Sequence, residues 1–337
     1  MLDTPFQKAI EIFIAHSAAA DQVIIDRLSL LSGGAIQQNW LLDARILGGP
    51  QAGELRAVLR ADAASKVAIS HGRAQEFTLF QAAFNAGVLV PEPLWLANSE
   101  VMGRPFFIMR RVEGSAAGHR LVRDSSLGGD RIRLAERLGE ELARIHSIRP
   151  GRSDLNFLPQ PNLPPAQELI QRARNYLDHH STPLPALEWG LRWLERHLPS
   201  EHDLVLCHRD FRTGNYMVDG QGLTGILDWE FAGWSDPFED IGWFCAKCWR
   251  FGNNNAQAGG IGQRHDFYRG YERISGKPID TRWVGYWEVM AHLNWAIIAL
   301  QQAERHISGE ESSLNLALTG HIVAELEWEI LQLTEHD

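Results

Sequence analysis

The chain has 337 residues, 45% of them hydrophobic and 22% charged, the composition of a folded globular protein with room for one large domain or two lobes. Its net charge of −10 argues against a nucleic-acid partner, which needs a basic face, and permits a cationic ligand without requiring one. Three cysteines, Cys207, Cys245 and Cys248, are too few for a disulfide framework and point to a reducing, cytoplasmic setting.

The opening "MLDTPFQKAIEIFIAHSAAA" carries acids at Asp3 and Glu11 and no basic segment before its apolar stretch. An amphipathic helix is expected there rather than a signal peptide. No apolar run has the length of a membrane-spanning helix, so no membrane partner is expected. Strands are expected at 26–34 ("DRLSLLSGG") and 39–47 ("NWLLDARIL") around a glycine turn, and at 54–60 ("ELRAVLR") after the turn "GGPQAG". Phe77, Phe80 and Phe84 recur at helical spacing within 70–86, which predicts a helix with one apolar stripe. "PLWLA" and "PFFIMRRV" read as two further strands. Beyond residue 130 the period turns helical, with Leu134, Leu138, Leu142 and Ile145 on one face. The C-terminal region reads as mainly helical too. The Pro-rich loop "RPGRSDLNFLPQPNLPP" is expected to lie inside the second lobe. A β-rich part is thus expected to be followed by a mainly helical part.

The stretch "CHRDFRTGNYMV" (207–218) sets His208, Asp210, Arg212 and Asn215 between the apolar runs "DLVL" and "YMV", and "DGQG" follows as a turn. Acid and amide groups on a short loop between strands are held firmly and left accessible. The five-residue spacing from Asp210 to Asn215 matches the catalytic loop of enzymes that transfer phosphoryl groups. The run "LTGIL" then delivers Asp228. Carboxylate and amide oxygens are the donors magnesium prefers, and an aspartate beside the acceptor hydroxyl is what the reaction needs.

The motif "HRDFRTGNYMV…GILDWEFAGWSDPFEDIGW" closely resembles the aminoglycoside phosphotransferase-like family, relatives of choline kinases and, more distantly, of protein kinases. That family's pattern is H-x-D-x-x-x-x-N, then an apolar-Asp-Trp, then G-x-x-D-P-x-x-D, and all three pieces occur here in order. The resemblance implies an α+β, bilobal protein-kinase-like fold with a β-rich N-lobe that binds nucleotide and a mainly helical C-lobe. It implies an ATP- and Mg²⁺-dependent small-molecule kinase acting on a hydroxyl. Asp210 is then the residue that orients the hydroxyl and takes its proton. Asn215 and Asp228 are the magnesium ligands, and His208 braces the loop. Arg212 stands where protein kinases carry a lysine that touches the γ-phosphate. Ser32, Gly33 and Gly34 form the turn over the phosphates, where glycine lets backbone N–H groups come close. Met109, Arg110, Arg111 and Val112 form the joining segment whose backbone meets adenine, so the resemblance implies lobes of residues 1–112 and 113–337. Asp236 and Asp240 are structural, with Asp236 before Pro237 as a helix cap.

The third strand departs from the kinase pattern. It ends in Arg60 where a lysine is usual, and none of the four lysines (Lys8, Lys66, Lys247, Lys277) lies on it. Arginine can still grip phosphates in forked geometry and pair with a helix glutamate, here Glu76. The plainer reading of Arg60 and Glu76 is a surface ion pair. "VLR" and "FFIMRRVEG" resemble the branch of the family found alone or fused to acyl-CoA dehydrogenases. A nucleotide-binding pseudokinase or regulatory module is the alternative that Arg60 leaves open. A protein kinase is disfavoured, because "DPFED" follows Asp228 too soon for a regulated activation segment.

A polycationic aminoglycoside needs a convergent acidic pocket. Glu230 and Glu239 are the acids left near the motif, and Trp229, Phe231, Trp234 and Phe238 flank them. The expected acceptor is therefore a metabolite with an apolar portion, a hydroxyacyl compound, in preference to an aminoglycoside antibiotic. The segment "VGYWEVMAHLNWAIIAL" (284–300) is expected to shape its pocket. "CAKC" (245–248) reads as core cysteines in a buried helix, "DHH" (178–180) as a solvated helix end, and most of the twelve tryptophans as core.

Overall fold

The structure, a computed structural model, describes residues 4–31, 37–62, 70–200 and 202–335. The chain forms two compact units. The first comprises residues 1–114, 152–157 and 224–232, and the second comprises the rest. A single break after residue 112 does not describe this arrangement, because two later segments return to the first unit. One is part of the Pro-rich loop expected in the second lobe, whose short 3₁₀ turn Ser153–Leu155 packs on a helix of the first unit. The other is tied in by the Ile226 N–H, which donates to the Leu89 carbonyl at 2.7 Å.

The first unit runs α1 (Thr4–Ser17), β1 (Gln22–Leu30), β2 (Gln37–Leu47), β3 (Gly53–Asp62), α2 (Arg73–Asn85), β4 (Pro93–Ala97) and β5 (Phe106–Arg110). The five strands make one antiparallel sheet in the order β1-β2-β3-β5-β4. Alternation along β3 explains its two faces. Leu55, Ala57, Leu59 and Ala61 are buried with Ile10 and Ile14 of α1 and with Leu42, Phe106 and Ile108 in one core. Arg60, out of step with them, is left for the opposite face. There α2 sets Phe77 and Phe80 against Phe107 of β5, with ring centroids 5.7 Å apart in both pairs. Phe84, expected on the same stripe, is 44% exposed, because it stands next to the helix end at Asn85, where the cover runs out.

The second unit begins with α3 (Gly118–Arg123), α4 (Arg131–His146), α5 (Pro165–His179) and α6 (Pro185–Arg196). Short strands follow: β6 (Val205–Cys207), β7 (Tyr216–Val218), β8 (Leu223–Ile226), most of which belongs to the first unit, and β9 (Gly233–Ser235). The chain then forms α7 (Pro237–Cys245), α8 (Arg264–Ser275), α9 (Thr281–Ile307), α10 (Leu314–Gly320) and α11 (Val323–Leu333). β6 and β9 pair antiparallel, Cys207 opposite Gly233. Asp130 caps α4 by accepting the Ile132 and Arg133 N–H groups, and the expected stripe Leu134, Leu138, Leu142 and Ile145 is buried. The long α9 has no single apolar face, since α5, α6 and α11 surround it. Trp287, Met290, Leu293 and Ile297 share a core with Leu191, Leu194, Leu326 and Ile330. "CAKC" is not one helix: α7 ends at Cys245, Ala246 leaves helical geometry (φ −58, ψ 140), and a 3₁₀ turn covers Lys247–Trp249. Cys207 and Cys245 are buried and Cys248 is partly so. None of the described helices is long and apolar enough to cross a membrane.

Helices α4 and α8 meet backbone to backbone. A Cβ added at Gly139 would strike the Phe267 carbonyl, and one added at Gly270 would strike the Glu136 carbonyl. Gly270→Ala is expected to cost about 1–3 kcal/mol, the range for forcing a methyl into a packed interior. Urea denaturation checks this, and a wild-type midpoint would mean that the two helices separate without cost.

Candidate active site

The loop His208–Asn215 leaves β6 in a conformation that its sequence alone resists. Arg209 has a positive φ of 62° and Gly214 one of 112°, values that carry a steric cost for any residue with a Cβ. At Gly214 a Cβ would also lie 2.9 Å from Arg212 Nη1. Asp240, fully buried in the first turn of α7, offsets this cost. Its two oxygens accept the N–H groups of His208 and Arg209, each at 2.7 Å. His146 Nε2 donates to the same carboxylate at 3.1 Å, and its Nδ1 meets the Tyr271 hydroxyl at 2.9 Å. Asp236 caps α7 through the Phe238 N–H at 2.9 Å, and burial pushes its carboxyl up to about 7. Both aspartates are thus used on backbone donors, as structural residues. The far end of the loop is held by the Thr213 hydroxyl, which donates to the Gly259 carbonyl at 2.6 Å.

Held this way, Asp210 receives three donors. Trp243 Nε1 reaches Oδ1 at 3.1 Å, Arg212 Nε reaches Oδ1 at 2.9 Å, and Asn215 Nδ2 reaches Oδ2 at 2.5 Å. Asn215 Nδ2 also donates to the Asp210 carbonyl at 2.9 Å. With the amide nitrogen used twice on Asp210, the amide oxygen faces away from it, as a hard donor suited to a cation. The Arg212 guanidinium lies 4.6 Å above the centre of the Trp249 ring. The structure therefore brings Asp210, Arg212 and Asn215 together within the second unit.

The first unit carries a buried charge network. Arg60 is only 7% exposed and Glu76 is fully buried, so their pair is not a surface contact. Nη2 of Arg60 lies 2.8 Å from Glu76 Oε1, and its Nε donates to Oε2 at 3.1 Å. Nη2 also lies 2.6 Å from Asp228 Oδ1, while Nη1 donates at 3.4 Å to Asn39 Oδ1, its cross-strand partner on β2. Burial works against the Arg60 charge, but Glu76 and Asp228 outweigh it and hold its pKa above the ordinary value. Arg73 binds the other side of Glu76 and reaches Asp62 at 2.9 Å. Burial, and then the Asp228 carboxylate, push Glu230 up to about 7. Asp228 has a positive φ of 66°, and its Oδ2 has no hydrogen-bond partner among the described residues. In the joining segment the Arg110 and Arg111 N–H groups are taken by the carbonyls of Glu92 (2.8 Å) and Arg56 (2.9 Å). The Val112 N–H has no acceptor among the described residues. Met109 is buried and pairs with Val58 in the sheet. Ser32, Gly33 and Gly34 lie outside the described residues.

Sequence reasoning missed Trp243, Trp249, Asn39, Arg73 and Asp62. Trp243 left a signal, since it follows Asp240 by three residues and so shares its helix face. Glu239, considered for a cationic acceptor, is bound by Arg209 at 3.2 Å and by Ser235.

Glu76→Ala would leave Arg60 and Arg73 buried without their shared partner. The expected loss is about 3–5 kcal/mol, the usual effect of breaking a buried pair from one side. Chemical denaturation measures it, and a loss within about 0.5 kcal/mol, as for an exposed site, would contradict the network.

Comparison with known proteins identifies the family. The model of the phosphotransferase enzyme family matches residues 27–276. Among curated proteins, mouse acyl-CoA dehydrogenase family member 10 is 28% identical over 283 residues, covering 77% of this chain and 26% of that protein. Chicken acyl-CoA dehydrogenase family member 11 is 31% identical over 184 residues, covering 51% of this chain and 22% of that protein. The chain thus matches about a quarter of the length of these relatives. Among solved structures, a candidate aminoglycoside phosphotransferase from Ralstonia eutropha JMP134 superposes with a TM-score of 0.72 at 22% identity, over 96% of this chain and 98% of that one. Spectinomycin phosphotransferase in complex with ADP and spectinomycin gives 0.64 at 13% identity, over 96% and 98%. These likenesses establish the α+β, kinase-like fold, and with the family model they show that this chain belongs to the phosphotransferase enzyme family typified by aminoglycoside phosphotransferases.

Proposed function

We propose that this chain transfers the γ-phosphoryl group of ATP, with Mg²⁺, to a hydroxyl of a small metabolite. One observation carries the reading: the Asp210 carboxylate, on a loop forced into shape by Asp240, is fixed by three donors. In the transfer, the acceptor oxygen bonds to the γ-phosphorus and the bond from that phosphorus to the ADP oxygen breaks. The acceptor's proton passes to Asp210. The donor set fits magnesium: Asn215 presents an amide oxygen and Asp228 keeps one carboxylate oxygen outside the Arg60 pair. When bound, the ion would neutralise charge on the phosphates. Arg60 and Arg212 would add guanidinium contacts to them, and the Val112 N–H would meet adenine.

The acceptor is read as a compound with an apolar portion, a hydroxyacyl compound. Beside Asp210 stand Trp243 and Trp249, 5.2 Å apart at their ring centres, and Trp295 lies 5.0 Å from Trp249. Glu239 is already paired with Arg209, so an aromatic and cationic neighbourhood meets the acceptor where an aminoglycoside would want free carboxylates. The similarity to two acyl-CoA dehydrogenase family members supports the same class. An aminoglycoside acceptor is the alternative favoured by the solved neighbours, among them the spectinomycin enzyme. A pseudokinase is disfavoured, since Arg60 still makes the strand-to-helix pair with Glu76.

ADP release in the presence of Mg²⁺ should be faster with hydroxyacyl-CoA compounds than with kanamycin-type ones. Turnover of an aminoglycoside at kcat/KM on the order of 10⁴ M⁻¹s⁻¹ or better would restore the antibiotic reading. Asp210→Ala should keep nucleotide binding and lose turnover by roughly 10²–10⁴-fold, and full activity would sink the role of Asp210. Asp228→Asn should abolish the Mg²⁺-dependent part of the Tm rise with ATP. Arg60→Ala should weaken ATP far more than adenosine, with partial recovery in Arg60→Lys. Equal weakening of both ligands would leave Arg60 only a folding role.

A further inference from the structure

We propose that Trp243 and Trp249 form an indole clamp that positions the Asp210 carboxylate and the Arg212 guanidinium for removal of the acceptor's proton. The proposal rests on Asp210 being the base. The two rings come from different elements. Trp243 lies in the last turn of α7, and Trp249 closes the 3₁₀ turn that follows. Trp243 shares a helix face with Asp240, three residues earlier. One face of α7 therefore holds both the backbone of the loop, through Asp240, and its reactive side chain, through Trp243 Nε1 at 3.1 Å from Asp210 Oδ1. Trp249 packs on Trp243 with an interplanar angle of 43° and carries the Arg212 guanidinium on its face at 4.6 Å. That guanidinium in turn donates to the same Oδ1. Both rings are 8% exposed and pack with Ala246 and Ala291, with Trp295 of α9 alongside.

The chemistry of the donors fits a positioning role. An indole N–H only donates and a guanidinium stays protonated, and the Asn215 amide does not titrate either. The Trp243, Arg212 and Asn215 groups all give hydrogen bonds to Asp210, and none of these three can receive its proton. Because two donors converge on Oδ1 and a third reaches Oδ2, the plane of the carboxylate is fixed before any acceptor arrives. Such preorganisation raises the rate without strengthening substrate binding. Packing alone would not explain the direction of the Trp243 N–H. Trp40, Trp193 and Trp287 bury their indole nitrogens with no hydrogen-bond partner among the described residues, so a buried indole in this chain is not automatically aimed at a charge.

The test is Trp243→Phe, which keeps an aromatic ring and removes the N–H. Mg²⁺-dependent ADP release is followed with 3-hydroxybutyryl-CoA as the acceptor probe and, in its absence, with water as the acceptor. The expected result is a fall in kcat of about 10–100-fold in either readout, on the order of the loss from a small misplacement of reacting groups, with KM for ATP unchanged and a single cooperative melting transition, at a Tm lowered by the smaller buried ring. In an Asp210→Ala background the same substitution should cause no further loss. An additive loss there would reveal a packing role and overturn the proposal. A second measurement needs no turnover. In spectra of ¹⁵N-indole-labelled protein, the resonance that disappears in Trp243→Phe should shift in Asp210→Ala, and an unmoved resonance overturns the clamp. Normal turnover in Asp210→Ala overturns the reading of Asp210 as base. Normal turnover in Trp243→Phe beside an inactive Asp210→Ala overturns the clamp alone.

Discussion

The arrangement of the second unit depends on one buried carboxylate. Asp240 could not be left inside the protein with its charge unmatched, since the desolvation of an isolated carboxylate is prohibitive. Two backbone N–H groups and the His146 ring satisfy it. The same bonds fix the peptide around Arg209, whose left-handed backbone no local preference would choose. The exchange is mutual: the loop solvates the acid, and the acid holds the loop in the shape that presents Asp210. Helix α7 begins at the Asp236 cap and delivers Asp240 and then Trp243, so a single helix start sets the register of the whole loop.

The first unit solves a different electrostatic problem. Four carboxylates, those of Asp62, Glu76, Asp228 and Glu230, gather around two guanidiniums, Arg60 and Arg73. If all four were ionised, negative charge would exceed positive in a region with little access to water. The protein relieves this partly by holding Glu230 up near 7 and partly by the fork of Arg60, which spans Glu76 and Asp228 at once. A lysine ammonium is a compact point charge and could not cover both in the same way. The residual negative charge is also what would make the region attractive to a divalent cation.

Much of the architecture was legible in the sequence because it rests on short-range patterns. The strand alternation of "ELRAVLR", the stripe from Leu134 to Ile145 and the cap at Asp236 each follow from neighbours a few residues apart. The loop from His208 to Asn215 was legible for the same reason: its chemistry is contiguous. What escaped depends on contacts between distant residues. Nothing local marks residues 152–157 or 224–232 as belonging with the first unit, and with them the pairing of Arg60 to Asp228, 168 positions away, was invisible. Phe84 had the right period and failed because helical spacing says nothing of where the opposing surface ends. The break at Ala246 defeated the reading of "CAKC" as one helix, and it is this break that turns Trp249 toward Arg212. Apolar composition could place the tryptophans near the core but could not assign a direction to the N–H of Trp243.

The arginine at position 60 has a consequence beyond charge. An unprotonated lysine amine is a nucleophile, and one held beside a nucleotide or a thioester is open to acylation. A guanidinium stays protonated at any pH the protein survives and is inert toward acyl donors. None of the four lysines of this chain lies on β3, so reagents that label kinases by acylating the strand amine find no target there. A phosphotransferase built this way is chemically resistant to activated acyl groups at the position where its lysine-bearing counterparts are vulnerable.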